Sequence, residues 1–374
     1  MIPVNEPLLA PNAKVYLNEC IDTGWISSEG PFVKRFEAAM AHTVNRNHAI
    51  AVANGTAALE VAVKALNIGA GDEVIMPSFT IISCAQAIIN NGATPVLVDS
   101  DPITWNMDHT AIKSKITART KAIMVVHIYG LPVDMDPVLA IAKEHNLKII
   151  EDAAEMIGQT YKGKPCGSFG DISTFSFYPN KMVTTGEGGM LVTDDPDLAA
   201  RCAYLRNLCF QPQQRFVHKE LGWNYRMSNL QAALGLAQLE QLDQFVIKKR
   251  QIGLKYMELF QGTPGITLPK KETEFAQNIF WVFGLLLEET NTKSSAPNTP
   301  QELMKQLGKA GIGTRPFFWP MHQQPVFSDM GLFVNEHLPC SERLARRGFY
   351  LPSGMAITEE QIEKVVSVTK ALLQ

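Results

Sequence analysis

Three short stretches carry residue types whose spacing could support chemistry. Lys181 closes the run Ser176-Phe177-Tyr178-Pro179-Asn180-Lys181 and precedes the glycine-rich stretch from Met182 to Gly189. A lysine between a β-like segment and such a turn can be semi-buried. Burial lowers an amine's pKa and frees it as a nucleophile toward a carbonyl. Ser176, five residues earlier, can reach a phosphate. The second stretch, Glu151-Asp152-Ala153-Ala154-Glu155, follows the apolar Leu147-Lys148-Ile149-Ile150. Ligands of parallel α/β proteins collect at the carboxyl ends of strands, and a carboxylate there can hold a pyridinium nitrogen protonated, making the ring an electron sink. The third, Asn54-Gly55-Thr56, stands between an apolar strand and a helix. Its glycine permits a tight turn, the helix start offers free N–H groups to an anion, and Thr56 adds a hydroxyl.

Taken singly, each has a plainer reading. Asn-Gly-Thr also caps a helix, Asp152 equally caps a following one, and a lysine is usually surface charge. A fourth stretch, from Trp223 to Asn229, enters a long helical region and suits phosphate or partner contact, or simple packing.

The elements that must position these residues alternate. Apolar segments at 48–53, 73–76, 95–99, 122–128 and 147–151 lie between predicted helices at 55–67, 80–91, 108–116 and 135–145. That alternation means βαβ units and an α/β fold with a mostly parallel sheet. Residues 151–193 are rich in glycine and short β-like pieces, the composition of backbone crowded around a ligand. One long helix is expected over 226–258. The segment 263–374 reads as a smaller α/β unit with a strand at 279–287, a polar surface loop at 289–300, and helices at 300–310 and 357–373. The expected domains are 1–245 and 246–374.

Composition excludes several classes. The 374 residues carry 34 Lys+Arg against 37 Asp+Glu, a net charge of -3, which argues against nucleic-acid binding by bulk charge. No apolar run approaches the ~20 residues of a membrane span, and no signal peptide is evident at Met1. The six cysteines are scattered without zinc or CxxC spacing. A cytoplasmic protein with reduced thiols and no metal is expected.

In the order phosphate turn, strand-end carboxylate, nucleophilic lysine, the sequence resembles the DegT/DnrJ/EryC1/StrS sugar aminotransferases, on the fold-type I aspartate-aminotransferase architecture. The resemblance runs nearly end to end, through WISSEGPFVKRFE (25–37), NGTAAL, GDEVIMPSFT, IEDAAE, DISTFSFYPNKMVTTGEGGM, WNYRMSNLQAALGLAQLE and RPFFWPMH (315–322). It implies pyridoxal 5'-phosphate (PLP) as cofactor, held by Lys181 as an internal aldimine. Asp152 would pair with the pyridine nitrogen, and Gly55, Thr56 and Ser176 would hold the phosphate. Glu155 would sit beside the ring, and an apolar side chain at Phe79 against its face. Asn229 would reach the phosphate in a neighbouring subunit, implying a homodimer with shared sites. His322, with Trp25 and Ser27 of the 25–31 loop, would lie near the sugar.

The resemblance further implies L-glutamate as amino donor and a keto sugar as acceptor. The best-matching pattern points to GDP-4-keto-6-deoxymannose, in cell-surface polysaccharide or lipopolysaccharide synthesis. The family often has glycine where Pro179 stands, and the 208–220 stretch is unusual. Arg215 and His218 there could face an anionic substrate, which keeps open 8-oxo-3-deoxy-octulosonate (Kdo) as the alternative acceptor. PLP-dependent sugar dehydratases of this scaffold carry histidine in place of the lysine, so Lys181 speaks against that class. Nothing in the sequence supports a non-catalytic PLP sensor.

Overall fold

The computed structural model describes residues 1–288 and 297–373. The chain opens with helices α1 (Ala13–Thr23) and α2 (Pro31–Thr43), then strand β1 (His48–Val52) and helix α3 (Gly55–Ala65). Strands β2 (Glu73–Pro77), β3 (Thr94–Val98), β4 (Thr120–Val126) and β5 (Lys148–Asp152) follow, with α4 (Ile82–Asn90) after β2 and α5 (Met135–His145) after β4. A two-residue hairpin, β6 (Thr160–Tyr161) and β7 (Lys164–Pro165), precedes β8 (Ile172–Ser176), β9 (Gly189–Thr193) and helix α6 (Pro196–Arg206).

Seven of these strands form one sheet in the order β1-β9-β8-β5-β4-β2-β3. Only β9 runs against its neighbours. All other strands therefore end on the same edge. Alternate residues of β4 enter different cores: Ile123 and Val125 pack on one face, Met124 and Val126 on the other. A strand buried on both faces reads as the continuous apolar run seen in the sequence.

Beyond the sheet come α7 (Asn229–Leu239), α8 (Leu242–Phe260), β10 (Ile266–Thr267), β11 (Phe283–Leu287), α9 (Pro300–Lys309), β12 (Arg315–Pro316), α10 (Pro325–Asp329), α11 (Pro339–Arg347), β13 (Gly348–Leu351) and α12 (Glu359–Leu373). The four short strands make an antiparallel sheet, β10-β11-β13-β12, over a third core. Helix α8 joins the units: Leu242 and Phe245 belong to the large core, Ile252, Tyr256 and Phe260 to the small one. The expected 245/246 boundary falls inside this helix. Ile2 packs in the small core, so the first residues run along the smaller unit.

Three expected elements differ. Residues 108–116 form two 3-10 turns, His109–Ala111 and Lys113–Lys115, not an α-helix. The long helix over 226–258 is two helices parted at Glu240-Gln241, and α7 starts only at Asn229, where Ser228 and Gln231 form a capping box. The strand over 279–287 shortens to Phe283–Leu287 because Phe280 adopts φ +53°, which breaks extended pairing. Of the predicted 289–300 loop, residues 289–296 lie outside the described residues.

Candidate active site

The common strand edge gathers the singled-out residues around one cavity of about 580 Å³, within the ~300–1,000 Å³ of small-molecule sites. Gly55, Thr56, Asp152, Glu155, Ser176 and Lys181 all line it.

The Asn54 turn both caps a helix and lines the cavity. Asn54 is the N-cap of α3, its side chain accepting from Ala57 N at 2.8 Å. The helix start opens toward the cavity beside the Thr56 hydroxyl, which is 2.9 Å from Ser83 Oγ. Glycine at 55 is obligatory for this closeness: a Cβ there would lie 2.8 Å from Ser176 Cβ and 3.1 Å from its Oγ. A helix N-terminus flanked by three hydroxyls is an anion cradle.

Asp152 ends β5 and is buried. No helix follows it. Its Oδ1 accepts from Ala154 N at 3.0 Å and its Oδ2 from the Cys84 thiol at 3.3 Å. Desolvation raises its pKa above the usual carboxylate value. A cationic group entering the cavity would relieve that cost. Glu155 accepts from Tyr129 N at 2.6 Å, and burial pushes it up to about 8 against the pull of Lys181. Burial likewise lowers the pKa of Lys181, with Glu155 and Asp152 opposing the shift. The lysine is thereby poised to give up its proton. Its Nζ sits over the Trp281 ring, 3.9 Å from the centroid.

Beside Asp152, His127, Glu151 and Cys166 offer ligand atoms within 4.8 Å of one another. The carboxylate is already saturated. Glu151 accepts from His127 Nε2, Gly167 N, Phe169 N and Ser173 Oγ at 2.6–3.1 Å. His127 Nδ1 accepts from Val133 N at 3.0 Å, which fixes the Nε2–H tautomer. This cluster braces the strand ends that carry Asp152.

The remaining predicted residues fall elsewhere in the single chain. Phe79 is fully buried in an aromatic cluster with Tyr129, Phe317 and Phe318, and its neighbours Thr80 and Ile81 line the cavity instead. His322 bridges Ser78 Oγ (2.8 Å) and Glu342 (3.2 Å), tying the 315–324 loop to the large unit. Asn229 is bonded within its own chain. Its Oδ1 accepts from Phe32 N at 2.8 Å and its Nδ2 donates to Trp25 O at 2.6 Å. Within its own chain the amide braces the 25–32 segment, and its Nδ2 also lies 3.2 Å from Cys20 Sγ. Trp25 and Ser27 take part through their carbonyls, Ser27 O accepting from Asn229 N. Arg215 lies over the Phe210 ring and His218 bonds Leu208 O, both exposed and away from the cavity.

Sequence reasoning missed Ser83, Asn180, Tyr225 and Trp281 as cavity residues. Trp281 was concealed in an apolar run that read as strand.

The residues fit pyridoxal phosphate on internal grounds. Two buried polar atoms, Thr174 Oγ1 and Asn180 Oδ1, lack partners among the described residues, and both residues face this cavity. A cradle for an anion, a desolvated carboxylate and a lysine of depressed pKa surround the same space.

An α/β enzyme with a lysine, a buried acid and an anion cradle at one strand edge is a cofactor-dependent group-transfer enzyme in outline. The chain belongs to the DegT/DnrJ/EryC1/StrS aminotransferase family, whose model matches residues 8–370, and is a PLP-dependent sugar aminotransferase of that family. It is 43% identical over 373 residues to the GDP-perosamine synthase of Caulobacter vibrioides, covering 100% of this chain and 98% of that protein. It is also 43% identical over 361 residues to the GDP-perosamine synthase of Escherichia coli O157:H7, covering 96% and 95%. Among solved structures it resembles S. venezuelae DesV in complex with a ketimine intermediate, with a TM-score of 0.88, 32% identity, and coverage of 97% and 94%. Among the described residues no helix is long and apolar enough to cross a membrane.

Proposed function

We propose that the chain transfers an amino group from L-glutamate to the keto carbon of GDP-4-keto-6-deoxymannose, with PLP linked to Lys181. The observation that carries the cofactor assignment is the convergence of Lys181, Asp152 and the α3 N-terminus on one cavity. The acceptor rests on the 43% identity to two GDP-perosamine synthases over nearly their full length.

Bound PLP supplies an electron sink for carbanion character at the carbon being aminated or deaminated. The chain's residues do the rest. The start of α3, with the hydroxyls of Thr56 and Ser176, holds the phosphate. Asp152, costly to bury as an anion, keeps a proton on the ring nitrogen. The Lys181 amine anchors the cofactor and moves a proton once displaced. Glu155 lines the same cavity and would lie beside the ring, where burial biases its carboxyl toward the protonated form.

The working unit in this reading is a homodimer. Trp25 and Ile26 are each 50% exposed, and Phe216 and Leu221 are 80% and 88% exposed, apolar side chains that a second copy could cover. All six cysteines are free, which suits the reducing cytoplasm.

The test has two stages. L-glutamate added to the PLP-loaded protein should change its absorbance and release 2-oxoglutarate. A panel of GDP-4-keto-6-deoxymannose, other nucleotide-linked keto sugars and 8-oxo-Kdo should then show turnover with the first. No release of 2-oxoglutarate refutes amino transfer from glutamate. Turnover confined to 8-oxo-Kdo or another sugar refutes the acceptor.

A further inference from the structure

The seat of Lys181 is built with more care than a passing contact needs. Trp281, 6% exposed, offers its ring face to Nζ. Its other surfaces are fixed. The ring stacks on Tyr129 (6.1 Å, 24°), which stacks in turn on Phe318 (5.3 Å, 30°). Gly130, at φ +108°, lets the chain pass so close that a Cβ would lie 2.5 Å from Trp281 N. Trp281 Nε1 donates to the Asn180 carbonyl at 3.1 Å, and Asn5 Nδ2 donates to the same oxygen at 3.1 Å. The peptide immediately before Lys181 is therefore held from two sides.

Asn5 is itself fixed. The N-terminal segment bonds to the small unit through Ile2 N to Gly311 O (2.7 Å), Gly313 N to Ile2 O (2.8 Å), Ser353 N to Val4 O (3.2 Å) and Ala356 N to Glu6 O (3.2 Å). Gly354 has no room for a side chain, since a Cβ would lie 2.2 Å from Glu6 N. The lysine loop of the large unit is thus tied to the small unit through one strap.

We propose that Trp281 is a positioning residue for Lys181: its indole face is the seat Nζ occupies whenever the amine is unbonded. The Asn180 carbonyl, held by Trp281 and Asn5, locks that seat and the lysine loop to the N-terminal strap. An aromatic face attracts the ammonium form and so offsets part of the burial cost that drives the amine neutral. A displaced lysine then returns to one defined place instead of sampling the cavity. The seat itself needs no cofactor; only its use during turnover rests on the proposed function.

The test is 19F NMR of the full chain labelled with 5-fluorotryptophan. Five tryptophans give five resonances, and Trp281→Phe assigns the one of interest. In PLP-free protein the Trp281 resonance should titrate with pH. Lys181→Met should abolish that titration and leave the other four signals alone. The comparison isolates the lysine from the other titratable groups facing it or the ring: Glu155, Asp152, Cys84, Tyr129 and Tyr350. A Trp281 signal that titrates identically in Lys181→Met overturns the seat. Asn5→Ala should shift or broaden the Trp281 signal alone, and an unmoved signal overturns the strap. With PLP bound the resonance should move, and glutamate without acceptor should return it toward its PLP-free position. A resonance that stays put while absorbance shows reaction overturns the return of the lysine. Absence of any absorbance change counts against the proposed function instead, and the PLP-free titration still decides the seat.

Discussion

Gly55→Ala is expected to loosen phosphate binding while leaving most of the fold intact. The new Cβ would stand 2.8 Å from Ser176 Cβ and 3.1 Å from Ser176 Oγ. Carbon atoms settle ~3.5–4.0 Å apart, so the start of α3 and the end of β8 must part by roughly 0.7 Å. Overpacking of this kind costs about 1–3 kcal/mol. The movement draws the Ser176 hydroxyl away from the helix N–H groups, and a hydrogen bond to a charged group is worth about 1.5–3 kcal/mol. Loss of one such bond weakens PLP by roughly ten- to a hundredfold. The assay is titration of PLP-free protein with PLP and, separately, with pyridoxal, which lacks the phosphate. PLP affinity should fall and pyridoxal affinity should change little. Equal weakening of both ligands, or unchanged PLP affinity, would refute the assignment of this turn to the phosphate.

Two further outcomes are expected. Asp152→Asn preserves an acceptor for Ala154 N but removes the buried charge. Two unit charges ~4 Å apart at an effective dielectric of ~20 interact by about 4 kcal/mol, so the glutamate half-reaction should slow roughly a thousandfold by stopped-flow absorbance; slowing below about tenfold with PLP bound would sink the role. Lys249 lies buried in α8, donates to the Ser353 carbonyl, and has its pKa lowered by burial to about 7. The unfolded chain binds the extra proton between about 7 and the usual 10.5, so stability should rise with pH across that window by at most ~1.4 kcal/mol per unit. Urea unfolding of wild type against Lys249→Met would show the gap changing over that window, and a constant gap would contradict the shift.

The parallel sheet was legible because strands buried on both faces write continuous apolar runs, and because Asn54-Gly55-Thr56, Asp152 and Lys181 each stand just past such a run. One of the plainer readings holds: Asn54 caps α3. What stayed hidden depends on backbone irregularity and tertiary contact. The φ +53° of Phe280 turns a would-be strand into the mount for Trp281, and no side-chain pattern announces it. Asn229 read as a ligand because of its place in a motif. Only the fold shows Gly30 so close that the amide must serve the 25–32 segment. The intrachain partners of His322 were hidden for the same reason: Ser78 and Glu342 are 244 and 20 residues away.

The central claim is that one amine, that of Lys181, bonds the cofactor. Borohydride reduction of PLP-loaded protein, followed by peptide mass mapping, tests it directly. The pyridoxyl mass should lie on the peptide containing Lys181 and be absent from Lys181→Ala. A label on another peptide, above all that of Lys249, a buried lysine whose pKa is also lowered, would contradict the account.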